Sequence, residues 1–109
     1  MALDLEDFDY HKYSHCYKIE TIIENNISYE VKHYSDRVEW TVNDKIHREG
    51  DLPAIIYANG GYEYVINGNR HRENNECAYK NITVNLVSLA WYVEGKLKRK
   101  NGNPIVNMS

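Results

Sequence analysis

The chain has 109 residues, two cysteines and a formal charge of −3, which bounds it to one domain with a modest core. Two cysteines make no disulfide framework, and an acidic balance argues against a general nucleic-acid binder, which shows a basic surface. Ten Tyr and two Trp against one Phe favour half-buried strands, because an aromatic with a polar tip suits a pleated surface with one wet side.

Residues 1–14 read as an acidic N-terminal arm, irregular or briefly helical. Asp4, Glu6, Asp7 and Asp9 fall within the first nine residues, which carry no base. His11, His15 and Cys16 follow as H-x-x-x-H-C. A structural zinc site wants a fourth ligand and none is indicated nearby, so a solvated segment is expected. No stretch is apolar enough for a signal peptide or a membrane span, and the expected setting is reducing and cytosolic.

The rest, residues 15–109, is built on a repeat. VEWTVNDKIHREGDLPAIIY from Val38, YEYVINGNRHRENNECAYKN from Tyr62 and LAWYVEGKLKRKNGNPIVNM from Leu89 align in columns. Trp40, Tyr64 and Trp91 form one column; His47, His71 and Lys98 another; Arg48, Arg72 and Arg99 a third; Pro53, Cys77 and Pro104 a fourth. The last unit follows a three-residue insertion near Val84–Ser88. A degenerate unit precedes them, since ISYEVKHYSD aligns with LPAIIYANGG, and end units of a stacked array are atypical because they face water. The units are about 15–36, 37–60, 61–87 and 88–109.

Each unit alternates apolar and polar residues, which predicts a half-buried strand. Asn43-Asp44, Asn67-Gly68 and Glu94-Gly95 follow the strands; such pairs accept the positive φ of a two-residue hairpin turn. Second turns are expected at Ser35-Asp36 and Asn59-Gly60-Gly61. A two-residue turn fixes register. Trp40 should face His47 and Glu39 face Arg48; Tyr64 should face His71 and Glu63 face Arg72; Trp91 should face Lys98 and Ala90 face Arg99. On that register His47, His71 and Lys98 cover the rings of Trp40, Tyr64 and Trp91, and those five aromatics and histidines form the repeat core. The aromatic column is expected to be a packing spine and not a stacking platform for bases or sugars.

No catalytic constellation emerges. The acids are spread along strand faces, His15 and Cys16 are neighbours that point apart on a strand, and no glycine-rich phosphate loop occurs. No cofactor and no metal is expected; at the one shared column where His47 and His71 could ligate, the third unit carries Lys98. The candidate binding residues are Lys96, Lys98, Arg99 and Lys100, a basic spot on an acidic chain, and Asp4, Glu6, Asp7 and Asp9 of the arm.

The phrase Trp-x-x-Asn-Asp-Lys-Ile-His-Arg-Glu-(x)₃-Pro-Ala at Trp40–Ala54 resembles the W-x-x-N-G-K-x-H-R-E-D-G-P-A repeat of MORN-like, uncharacterised proteins of large DNA viruses and phages. The resemblance covers roughly residues 28–109 and is closest in the unit at Trp40. It implies a viral or phage origin, a single antiparallel sheet of hairpins and an interaction role. The glycine that follows the aromatic core of a true MORN motif is missing, so lipid binding is not implied.

The sequence therefore predicts an all-β fold: one antiparallel sheet of tandem β-hairpin repeats. The expected function is a non-enzymatic protein-interaction module, a viral or phage accessory factor binding a host or virion protein in the cytoplasm. It would form a homodimer through its sheet edges and bind neither membrane nor nucleic acid directly. The alternatives are an acidic inhibitor mimicking nucleic acid and a small-anion or nucleotide sponge at the basic spot.

Overall fold

The computed structural model describes residues 15–84 and 86–101 in full and the backbone at 103 and 104; the acidic arm lies outside the described residues. The protein is all-β. Its strands are β1 (Lys18–Glu24), β2 (Ile27–His33), β3 (Arg37–Val42), β4 (Lys45–Ile46), β5 (Ile55–Tyr57), β6 (Tyr62–Glu63), β7 (Val65–Ile66), β8 (Asn69–Arg70), β9 (Tyr79–Ile82), β10 (Val87–Val93), β11 (Lys96–Lys100) and β12 (Asn103–Pro104). They run as one antiparallel meander in the order β1-β2-β3-β5-β6-β9-β10-β11-β12, with β4 paired to β3. The small hairpin β7–β8 joins it through Arg48 N–H to Val65 O (3.1 Å) and Gly68 N–H to Ile46 O (2.8 Å).

Four two-residue turns set the hairpins: Asn25-Asn26, Asn43-Asp44, Asn67-Gly68 and Glu94-Gly95, all with φ between 50° and 82°. Positive φ at both residues defines the turn whose twist matches the flanking strands. Asn, Asp and Gly take that conformation readily; Glu94, at φ 51°, is the one residue of the eight with no local side-chain means to favour it. The turn at Ser35-Asp36 closes through Tyr34 N–H to Arg37 O (2.8 Å), and the one at Asn59–Gly61 through Gly60 N–H to Tyr57 O (3.0 Å). Gly61 is required by space, because a Cβ there would lie 2.6 Å from the Lys80 carbonyl oxygen.

The insertion near Val84–Ser88 does not make a longer loop. Ile56 pairs with Tyr62 just before its turn, and Lys80 pairs with Leu89 at the matching place, but two further pairs follow, Asn81–Ser88 and Ile82–Val87. The extra residues prolong β9 and β10 and move the turn outward.

The core lies at the N-terminal side of the array. Tyr29, Val31, Trp40, Ala54 and Val65 are buried together, with Ile22, Ile27, Val38, Val42 and Ile46 packed around them. Val31 sits directly opposite Trp40, and the Tyr29 ring meets Trp40 edge-on at 5.2 Å, an arrangement aromatic quadrupoles favour. The opposite face carries a polar row. Tyr57 donates to Glu63 (2.7 Å), Arg70 donates to Glu63 (2.8 Å) and to Tyr92 (3.0 Å), and Arg37 donates to Glu39 (2.7 Å) and Asp36 (2.8 Å). Arg37 and Glu63 are each 8% exposed, so these partners are what make their burial tolerable. Burial and the bond to Glu63 push the Tyr57 hydroxyl far above its ordinary value.

Candidate functional site

The distinctive part of each middle unit is a loop. Trp40 N–H donates to Ala54 O (2.7 Å) while its carbonyl accepts from His47 N–H (3.0 Å). The chain thus leaves the sheet after His47 and rejoins it at Ala54, and residues 48–53 stand out as a loop. The same happens at Tyr64, which donates to Ala78 O (2.7 Å) and accepts from His71 N–H (3.0 Å), so residues 72–77 form the second loop. Gly50 and Asp51 reverse the first loop with φ 87° and 55°; Asn74 and Asn75 reverse the second with φ 62° and 58°. Those residue types are the ones that tolerate left-handed backbone. Ala54 and Ala78 are both fully buried at the re-entry points.

Each loop begins with an arginine that folds back over its own unit's aromatic ring. The Arg48 guanidinium lies 3.5 Å from the Trp40 ring centre and Arg72 lies 3.8 Å from that of Tyr64. Each then binds a carboxylate of the preceding unit and a carbonyl of its own loop. Arg48 donates through Nε and Nη2 to the two oxygens of Glu24 (3.1 and 3.0 Å) and through Nη1 to Pro53 O (3.2 Å). Arg72 donates through Nε to Asp51 (2.9 Å) and through Nη1 to Cys77 O (3.0 Å). The bond from Arg48 holds the Glu24 carboxyl below its ordinary value. Burial works against the Arg72 charge, but the hydrogen bond to Asp51 and the negative groups around it, Asp51 and Glu76 among them, together outweigh it and the guanidinium sits above its ordinary value.

The histidines do something different. His47 Nδ1 accepts from Asn67 N–H (2.9 Å), and His71 Nδ1 accepts from Glu94 N–H (2.9 Å). Each imidazole therefore stitches its unit to the first turn residue of the next hairpin. Its Nε2 meets a carboxylate of its own loop, Glu49 (3.0 Å) or Glu73 (3.3 Å). Both ring nitrogens are engaged in each case, which leaves neither a lone pair for a metal. Among the described residues no group of three His, Cys, Asp or Glu side chains could hold a metal ion.

Several expected pairings are thereby corrected. The rings of Trp40 and Tyr64 are covered by Arg48 and Arg72, one column over from His47 and His71. Glu39 binds Arg37 instead of Arg48, and Glu63 binds Arg70 instead of Arg72. The cause is the loop: strict hairpin register ends at Trp40–His47 and Tyr64–His71, and beyond it strand alternation no longer governs. In the last hairpin the register slips at a bulge, so Trp91 faces Arg99 and Ala90 faces Lys100, with Lys98 unpaired in the ladder. The Arg99 guanidinium lies 5.2 Å from the Trp91 ring centre and binds Asn75.

The loops bound two clefts of one design. A cleft of about 380 Å³ lies between loop 48–53 and the next hairpin, with Arg48, Glu49, Asp51, Tyr64, His71 and Arg72 on its walls. A cleft of about 330 Å³ repeats it one unit on, with Arg72, Glu73, Asn75, Trp91 and Lys98. Five of the first set, Arg48, Glu49, Asp51, Tyr64 and His71, are replaced in the second by their repeat counterparts, and Arg72 lines both clefts. Glu49, Asp51 and Glu73 are exposed carboxylates on this row, at 56%, 64% and 77%.

Of the basic spot, Lys98 lines the second cleft and Arg99 is committed to Trp91 and Asn75. Lys96 lies opposite Val93 and Lys100 opposite Ala90, on the other side of the bulge from each other. Lys96, Lys98 and Lys100 are exposed at alternate positions of β11. Asp4, Glu6, Asp7, Asp9 and His11 lie outside the described residues. Sequence reasoning missed the loop carboxylates Glu49, Asp51 and Glu73. The usable signal was length: a unit of 24 residues from Trp40 to Tyr64 exceeds what two short strands and two tight turns consume.

No family model, curated protein or solved structure matches the chain. No helix among the described residues is long and apolar enough to cross a membrane.

Proposed function

We propose that this chain is a non-enzymatic protein-interaction module, a small viral or phage accessory factor, which engages a partner protein along the row of loop clefts. The observation that carries this reading is the recurrence of one cleft design at successive units. Two equivalent clefts in line suit an extended polypeptide segment that crosses both, as repeat arrays present a continuous surface to a partner. The loops that form the clefts are held by a two-point guanidinium–carboxylate bond, by stacking and by the histidine stitch, so the surface is preorganised and binding would order few groups. The exposed Glu49 and Glu73 give it a negative rim, which suits a partner segment bearing Lys or Arg. The resemblance of Trp40–Ala54 to repeats of large DNA viruses and phages supports the viral origin.

The test is affinity capture from lysate of cells in which the protein is naturally made, run side by side with a Glu49→Lys, Glu73→Lys variant of matched circular dichroism. The expected result is a stoichiometric protein held by the native chain and lost from the variant. Equal capture by both, or none by either, would overturn the reading.

A further inference from the structure

A second surface lies at the other end of the array. β1 is the terminal strand of the sheet order and pairs only with β2 among the described strands. It runs seven residues in unbroken register, with no proline and no bulge to spoil an approaching strand. Ile19 and Ile23 are 58% and 73% exposed on one side of it. Sheet edges of this kind are ordinarily blunted, because unpaired backbone groups template the addition of a strand.

The turn fixes which backbone groups are available. Glu24 and Ile27 flank the two-residue turn and so exchange hydrogen bonds with each other. Alternation then points the N–H and C=O of Ile22, Glu20 and Lys18 at β2, and those of Ile19, Thr21 and Ile23 outward.

We propose that β1 pairs antiparallel with β1 of a second copy, centred on Thr21, joining two sheets into one. In that register Thr21 opposes Thr21, Ile19 opposes Ile23, Lys18 opposes Glu24 and Glu20 opposes Ile22. The three outward-facing residues meet as hydrogen-bonded pairs, and the two exposed isoleucines of each copy cover those of the other. Charge selects the register. Moving the centre to Glu20 sets Glu20 against Glu20, and moving it to Ile22 sets Glu20 against Glu24; like charges directly opposite are destabilising. Only the Thr21 centre among these three avoids a like pair and gains two opposite ones. The segment is thus complementary to itself, and a second copy fits it without any other partner being invoked. This surface is separate from the loop clefts, so the inference stands or falls apart from the functional reading above.

The test uses the full-length chain. Light-scattering mass across a concentration series should give a dimer. Thr21→Pro removes an outward N–H without touching the β1–β2 ladder and should give a monomer of unchanged circular dichroism. Lys18→Glu should weaken the dimer roughly tenfold through two like-charge contacts. In a Cys16→Ser background, Thr21→Cys should form an interchain disulfide on mild oxidation. Ile19→Cys should not, because its symmetry mate would lie four residues along the strand, about 13 Å away. Should Thr21→Pro unfold, Lys18→Glu and the crosslinks decide alone. A monomer at every soluble concentration would overturn the proposal, and so would a dimer indifferent to these changes or crosslinking through Ile19 in place of Thr21.

Discussion

The stack at Trp40 and the stack at Trp91 occupy the same place in their units and differ in almost every measure of tightness. Arg48 sits 3.5 Å from its ring, 11% exposed, and holds both oxygens of Glu24. Arg99 sits 5.2 Å from its ring and meets the neutral amide of Asn75. The difference arises in the preceding unit. Each arginine depends on what the unit before it offers, a carboxylate from Glu24 or Asp51 at the first two positions and an amide at the third. Cohesion in this array is therefore a property of neighbours, as one-dimensional stacks require, and it declines toward the last hairpin. The polar row follows the same gradient: Glu63 gathers Tyr57 and Arg70, whereas its counterpart in the last unit is Ala90, which gathers nothing.

The comparison can be broken most forcefully at the rings. Trp40→Ala, at a ring 8% exposed, should cost about 3–5 kcal/mol in urea unfolding, and Trp91→Ala less than half as much; equal losses would mean that the two stacks are alike. Next comes the polar row. A double-mutant cycle of Glu63→Ala with Arg70→Ala should show coupling of about 1–3 kcal/mol, while the cycle of Glu63→Ala with Arg72→Ala should show none. The same row gives an alkaline signature. The folded Tyr57 hydroxyl keeps its proton above the pH at which an unfolded tyrosine loses it, so this group's stabilisation is complete below about pH 10 and drains away as pH rises beyond it. Denaturant midpoints followed from neutral to strongly alkaline pH should fall less steeply in Tyr57→Phe. The smallest effect sharpens the comparison. Asn75→Asp gives Arg99 the carboxylate that Arg72 has, at a backbone conformation Asp51 already adopts, and should stabilise by about 0.2–1 kcal/mol.

The repeat columns, the turn pairs Asn43-Asp44, Asn67-Gly68 and Glu94-Gly95 and the register next to them were legible in the sequence, because they follow from residue spacing and from which side chains accept positive φ; the turn at Asn25-Asn26 was not read, because the first unit departs from the repeat. Val42–Lys45, Ile66–Asn69 and Val93–Lys96 pair as turn geometry dictates. The site was not legible in the same way. Placing Arg48 and His47 required knowing that the strand is abandoned at His47, and alternation assigns them to opposite faces of a strand that does not continue. The bulge at Lys98 is a third case, since nothing in Glu94–Arg99 marks it. What was readable but unread is the Gly50-Asp51 and Asn74-Asn75 pair in the middle of each unit, the same chemistry that marks the hairpin turns.

Because Ala54 and Ala78 are the same residue in the same hydrogen-bonded position, the array carries a built-in splice point. Removing Ile55–Ala78 would leave Ala54 followed by Tyr79. Ala54 N–H would then find Ala90 O as Ala78 does, His47 would reach the Glu94 amide, and Arg99 would meet Asp51 in place of Asn75. A gene encoding this protein could shorten by one whole unit, or lengthen by copying one, without writing a new junction. The shortened chain should unfold cooperatively, with its final stack firmer than in the parent.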